Sequence, residues 1–208
     1  MCVIIAKPKG VELPSMKELQ SAYRHNPDGC GVVSSNGIYW RGLSFKKFCE
    51  VIKKVNTEDA CIIHFRIGTH GSNKTSNCHP FVANYNNREI FFAHNGILPI
   101  QVRGDMTDSE TEFRNILAPA AFTFGIRSER FKALVDREIY SSKFAFMENG
   151  EISLFGSWIA EGGLFWSNLN HRHHTYTAPQ RPKTDTASFM NRFYTKYPQY
   201  KNEEVCEY

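Results

Sequence analysis

Apolar residues along the chain fall into two rhythms, short unbroken runs and spaced stripes. VII at 3–5 is a run that reads as a strand starting almost at the terminus, followed by a loop, KPKGVELP. ACIIHF at 60–65 and EIFFAH at 89–94 are two stronger runs, the second broken by Asn95–Gly96. KFAFM, ENGE and ISLF read together as a hairpin, because Asn-Gly suits a two-residue turn. CGVV and GIYW form a second pair around Ser35–Gly37, and GLFW at 163–166 is a last strand. The stripes predict helices. One starts at Ser15, with Glu18 completing a capping box and Leu13 and Leu19 able to staple the entry; it runs to about Arg24. A second opens at Ser44 and carries Phe45, Phe48, Ile52 and Val55 on one face, with Cys49 beside it. A third opens at TDSE (107–110), where Thr107 and Glu110 stand in the box relation; it carries Phe113, Ile116 and Leu117 and is expected to stop at Pro119. A fourth spans about 128–139.

Strands and helices in this order describe one layered α+β or αββα body, with no internal repeat and no linker marking a second domain. The 208 residues suit that size, and 41% apolar residues suffice for a core. After Leu169 the chain turns polar. Residues 171–208 are expected to be a polar C-terminal extension of a 1–170 body, with a short helix-like piece near 187–193. HRHH at 171–174 reads as an exposed, partly charged strip, because its ligands are too closely adjacent for a preformed tetrahedral metal site.

Formal net charge is +4, but the basic residues are scattered, with FKK and RHNPD the densest spots, so neither nucleic acid nor a membrane is an expected partner. The six cysteines, at 2, 30, 49, 61, 78 and 206, form no CxxC pair. MCVIIAKPKG is too short in apolar residues for a secretory signal. The expectation is a cytoplasmic setting with free thiols, Cys30, Cys49 and Cys61 packing as small core residues. GTHGSNKT lacks P-loop spacing and is set aside.

Polar clusters gather at strand ends: NPDG, HFRIGTHG, NCHPF and HNG, with TDSE just after, and Cys2 behind the initiator Met. Strand ends are where rigid scaffolds carry sites. Each residue has a plain reading. Cys2 could be an inert thiol, Arg66 an ion-pair partner, Asn95–Gly96 a turn and Asp108 a helix-end charge. His64 and His94 read as structural, satisfied within their strands.

Taken together, Met-Cys, HFR, NCHPF, HNG and TDSE, with GSW and FWSN near the end, resemble the class II glutamine amidotransferase domain over roughly residues 1–170. The resemblance implies a four-layer αββα sandwich of the N-terminal nucleophile hydrolase type. It implies a cysteine-dependent glutamine amidohydrolase that needs no cofactor and no metal. Met1 would be removed, and Cys2 would be the nucleophile. Arg66 would hold the α-carboxylate of glutamine and Asp108 its α-ammonium. Asn95 and the backbone N–H of Gly96 would form the oxyanion hole. Thr69 and His70 would line the glutamine pocket, and Asp28 and Gly29 would lie in a loop close to it. Free glutamine or a γ-glutamyl amide would be the substrate, with a separate ammonia-accepting synthase subunit as a partner; a binding protein that keeps only the fold is the alternative. Two departures stand out: His79 occupies a position where many members have another polar residue, and the stretch from Arg66 to Asn95 is short, which favours a small lid and hydrolysis.

Overall fold

The structure is a computed structural model and describes residues 2–68, 72–102 and 106–172. The helix-like piece expected near 187–193 lies outside the described residues.

The first apolar run forms β1 (Val3–Lys7), buried along its whole length. A strand buried on both faces needs a continuous apolar run rather than alternation, which is what VIIA supplies. Helix α1 (Met16–His25) begins with the capping box at Ser15, both reciprocal hydrogen bonds being made. β2 (Cys30–Ser34) and β3 (Tyr39–Gly42) pair as a hairpin. Helix α2 (Phe45–Ile52) is capped by Ser44, and β4 (Cys61–Phe65) follows. A 3₁₀ turn, Thr75–Asn77, leads into β5 (Phe81–Tyr85), which pairs with β6 (Arg88–Asn95). β5 is absent from the sequence reading because its outer half, NY, is exposed and polar at the edge of its sheet.

Helix α3 (Asp108–Glu112) is capped by Thr107, whose Oγ1 accepts from Glu110 N. The box is not completed: the Glu110 carboxylate accepts instead from Arg114 Nε, 2.8 Å away. Nor does the helix stop at Pro119. It widens into a π turn over Phe113–Leu117 and continues as α4 (Ala118–Phe124). In an α-helix Pro119 would remove one hydrogen bond and press on the carbonyl four residues back. The π turn, in which Ala118 N–H reaches Phe113 O, delivers Pro119 to the first turn of a fresh α segment, where proline is tolerated. Helix α5 (Glu129–Glu138), capped by Ser128, precedes β7 (Lys143–Glu148) and β8 (Glu151–Phe155). The Asn149–Gly150 turn between them has positive φ at both residues, as a primed turn requires. β9 (Ile159–Glu161) and β10 (Leu164–Trp166) close the fold.

One antiparallel sheet has the order β3-β2-β4-β1-β10-β9 and the other β5-β6-β7-β8. Three apolar layers hold them. Val3, Ile5, Phe48 and Phe65 pack one outer face against α1 and α2. Ile4, Val33, Ile62, Phe91, Ala93 and Ala145 fill the space between the sheets. Phe81, Phe92, Phe113, Phe131 and Phe146 cover the second sheet on its helical side. The result is an α+β protein with four layers, αββα. Cys30 and Cys61 are core residues, and burial pushes both thiols up to about 12; Cys49 is half-buried against the same cluster. All five described cysteines are free thiols. Among the described residues, no helix is long and apolar enough to cross a membrane.

His171 departs from the exposed strip expected of HRHH. It is buried in a 3₁₀ turn (Asn170–Arg172) and stacks on Trp166 at 5.0 Å. Arg172 pairs with Glu18 and Glu161, while His173 and His174 lie outside the described residues.

Candidate active site

The register of β1 against β4 aligns Val3 with Phe65, so Cys2 and Arg66 emerge side by side at one end of the sheet. β6 ends at Asn95 near the same place, and α3 begins there with Asp108. A small cavity of about 30 Å³ collects Cys2, Arg66, Gly96 and Asp108, together with Asn77 and His79. His94, Thr107 and Ser109 complete its polar lining. Larger grooves exist, one of about 540 Å³ beside Tyr85 and Phe122, but they lie on other faces and contain none of these residues. Cys2, Arg66, Gly96 and Asp108, singled out in the sequence, gather in the small one.

Cys2 is half-buried. Its Sγ donates to Ile67 O at 3.6 Å and accepts from Ile67 N at 3.4 Å. Burial raises its pKa; the Ile67 hydrogen bond and the positive charges of the N-terminus and Arg66 oppose this without overcoming it. The resting sulfur is therefore a thiol, and attack requires a base. The backbone around Cys2 is held by FWSN. Asn168 Nδ2 donates to Cys2 O at 2.7 Å, and Ile4 N donates to Ser167 Oγ at 2.8 Å.

Arg66 is 3% exposed, which rules out a surface ion-pair role. Its Nη1 donates to Asn73 Oδ1 at 2.8 Å, and Asn73 Nδ2 donates to Asp28 Oδ1 at 3.0 Å. Asp28 also accepts from Gly68 N at 2.7 Å, and Arg66 N donates to Gly29 O. Asp28 and Gly29 thus brace Arg66 and the turn after it from behind, and neither lines the cavity. Gly29 is required there, because a Cβ would run into Cys78 Sγ.

The Asp108 carboxylate accepts from Leu98 N at 2.9 Å and Ser109 N at 2.8 Å. A carboxylate has about four acceptor positions, so capacity for an ammonium remains. Helix-end charge and ligand binding are compatible in this one residue. Gly96, at φ 152°, packs so closely on Ser142 that a Cβ would collide with its side chain. Asn95 lies behind the cavity lining. Its Nδ2 donates to Ser167 Oγ at 2.8 Å, and its buried Oδ1 has no partner among the described residues. Exchanging the amide ends would let the Ser167 hydroxyl donate to Oδ1 and would free Nδ2. Thr69 and His70 lie outside the described residues.

His64 and His94 are buried as expected but not fully satisfied. His64 Nε2 meets His79 Nδ1 at 3.1 Å, and His94 Nδ1 meets Ser109 Oγ at 2.7 Å. The outer nitrogens, His64 Nδ1, His79 Nε2 and His94 Nε2, have no hydrogen-bond partner among the described residues. Burial drives the pKa of all three down, His64 to about 3 and His94 to about 4, so all are neutral near pH 7. Sequence reasoning missed Asn73, Asn77, Ser109, Ser167 and Asn168. The motifs NCHPF and FWSN contain three of them, but nothing in the sequence says that FWSN pairs with Cys2.

A family profile described as "Glutamine amidotransferases class-II" matches residues 45–187, more than half of the chain. The chain belongs to that family. The matched span begins beyond Cys2, so the placement of Cys2 rests on the geometry above. Among solved structures, the chain is similar to the allosteric regulatory enzyme of purine biosynthesis, at 19% identity and a TM-score of 0.52. That match covers 80% of this chain and 41% of the other, so this chain spans about two fifths of that enzyme's length. It is also similar to a "predicted glutamine amidotransferase from Pseudomonas aeruginosa PA01", at 17% identity and a TM-score of 0.43, covering 79% of this chain and 78% of the other. At 19% identity the first likeness is one of fold alone. No curated protein sequence matches the chain.

Proposed function

We propose that the protein is a cysteine-dependent glutamine amidohydrolase that releases ammonia through a thioester on Cys2. The observation that carries this reading is the convergence of Cys2, Arg66, Gly96 and Asp108 on one cavity. Loss of Met1 would give Cys2 a free α-amine, with a pKa of about 7.7–8.0, able to take the thiol proton that burial otherwise holds on sulfur. The thiolate adds to the γ-amide carbon, and the oxyanion is met by Gly96 N–H and by Asn95 Nδ2 in its exchanged orientation. The α-ammonium returns its proton to the leaving nitrogen as the C–N bond breaks. Ammonia departs, and water then hydrolyses the thioester. Arg66 clamps the α-carboxylate in a planar fork and Asp108 takes the α-ammonium. The five free thiols among the described residues suit a cytoplasmic setting. A separate synthase subunit is the proposed acceptor of the ammonia.

The test is ammonia release by protein proven to lack Met1, with glutamine, asparagine and a γ-glutamyl peptide in parallel. Glutamine should be cleaved, and Cys2→Ser should abolish cleavage while the fold persists. A diazo-ketone analogue of glutamine should label Cys2 alone. Faster cleavage of the γ-glutamyl peptide would make the protein a γ-glutamyl amide hydrolase. No turnover of any amide would leave a binding protein.

A further inference from the structure

Ser167 stands where the two sheets meet, at the end that carries Cys2. It follows β10, and its N–H donates to Ile4 O at 2.9 Å, which continues the pairing with β1. Its side chain reaches across to the other sheet. Oγ accepts from Ile4 N at 2.8 Å and lies 2.8 Å from the Asn95 amide at the end of β6. Ser167 and Asn95 are 3% and 2% exposed, so water does not compete for these bonds. One hydroxyl thus joins the strand of the nucleophile, two residues beyond Cys2, to the strand that ends in Asn95.

The Asn95 side chain has no other hydrogen bond among the described residues. Ser167 alone pins its amide, and a proton count decides which end of the amide it pins. A hydroxyl has one proton and two acceptor positions. Ile4 N–H can only donate, so one acceptor position is taken. If Nδ2 also donated to Oγ, the hydroxyl proton would find no acceptor among the described residues and Oδ1 would stay buried and unmatched. With the amide ends exchanged, the hydroxyl donates to Oδ1 and both deficits disappear. Nδ2 then keeps its N–H donors for a ligand.

We infer that Ser167 is a positioning residue for amide cleavage: its hydroxyl holds the Asn95 amide by the oxygen, leaves the N–H donors free for the oxyanion, and ties that amide to the strand of Cys2. This role rests on the glutaminase reading, whereas the bridge from Ile4 to Asn95 does not. Ser167 does not line the cavity, and the head group of glutamine is assigned to Arg66 and Asp108. Loss of the hydroxyl should therefore fall on the step in which charge appears on the carbonyl oxygen and spare substrate binding.

The test compares the full chain lacking Met1 as wild type, Ser167→Ala, Asn95→Ala and the double variant. Ser167→Ala keeps the backbone bond from position 167 to Ile4 O and the hold of Asn168 on Cys2 O. It should lower kcat for glutamine roughly 10- to 100-fold, short of the ~10²–10³-fold cost of removing an oxyanion donor, with KM within about twofold. In the Asn95→Ala background the same substitution should change kcat by less than about threefold. An equal loss in both backgrounds, or a loss carried by KM, overturns the role, because a merely structural residue acts without Asn95. Neutron diffraction from the deuterium-exchanged full-length Cys2→Ala protein reads the bridge with no turnover and no variant at position 167. A Ser167 deuteron on the line to Asn95 Oδ1 is expected. An Asn95 amide deuteron directed at Ser167 Oγ in a chain that cleaves glutamine overturns the inference alone. The expected bridge in a chain that cleaves no amide overturns the glutaminase reading, and the positioning role falls with it.

Discussion

Arg66 shows how a residue's chemistry depends on what braces it. Its guanidinium is buried, tied to Asn73 and, one bond further, to Asp28. A lysine would keep the charge but lose the planar fork that matches a carboxylate in two places. Arg66→Lys is expected to weaken glutamine binding by about 2–5 kcal/mol, read by calorimetric titration of the Cys2→Ala background, while the thermal midpoint moves little. A large fall in midpoint with unchanged affinity would make Arg66 a structural residue. At this scale the sequence was legible where a motif carries its own chemistry: Cys2, Arg66, Gly96 and Asp108 do meet. It was silent where a role depends on a distant partner. Ser167 acts by bonding Ile4 and Asn95, contacts that span 163 and 72 residues.

Helix α3 places Asp108 through its cap. Thr107 Oγ1 accepts from Glu110 N at 3.1 Å, and Thr107 O accepts from Thr111 Oγ1 at 2.9 Å. Thr107→Ala should therefore cost about 1 kcal/mol in urea unfolding, and Thr107→Ser should recover most of it. Substrate affinity should fall less, because the Asp108 carboxylate is separately anchored by Leu98 N and Ser109 N. An affinity loss exceeding the stability loss would mean that the cap, not those two amides, sets the carboxylate. Elements with strong local signals, such as the capped starts at Ser15, Ser44, Thr107 and Ser128, could be read from sequence. Those without them could not. β9 is three exposed residues, β5 is half polar, and Pro119 conceals a helix that the π turn carries through.

For the molecule as a whole, three neutral histidines buried near the site tie stability to pH. Their folded pKa values lie below the unfolded value of about 6.5, to about 3 for His64 and about 4 for His94. Below pH 6.5 the unfolded chain takes up protons that the folded one refuses. The stability is therefore whole above about 6.5 and is lost as pH falls toward the folded values. Three such groups give a slope of up to about 4 kcal/mol per pH unit near pH 5.5. Urea midpoints measured between pH 5 and 8 should be level above 7 and fall steeply below 6.5. A flat profile down to pH 5 would mean that the rings charge within the fold.

The clamp of Ser167 and Asn168 on Cys2 and Ile4 also bears on how the protein is made. The start of the chain is locked by residues that leave the ribosome near the end of the body, so β1 has only its β4 neighbour until β10 arrives. At roughly 5–20 residues per second, synthesis of the intervening stretch takes on the order of ten seconds. During that interval β1 is paired along one edge only, and afterwards it lies in the interior of a six-stranded sheet. The order of translation therefore leaves the Cys2 end of β1 accessible until the FWSN segment arrives to hold it.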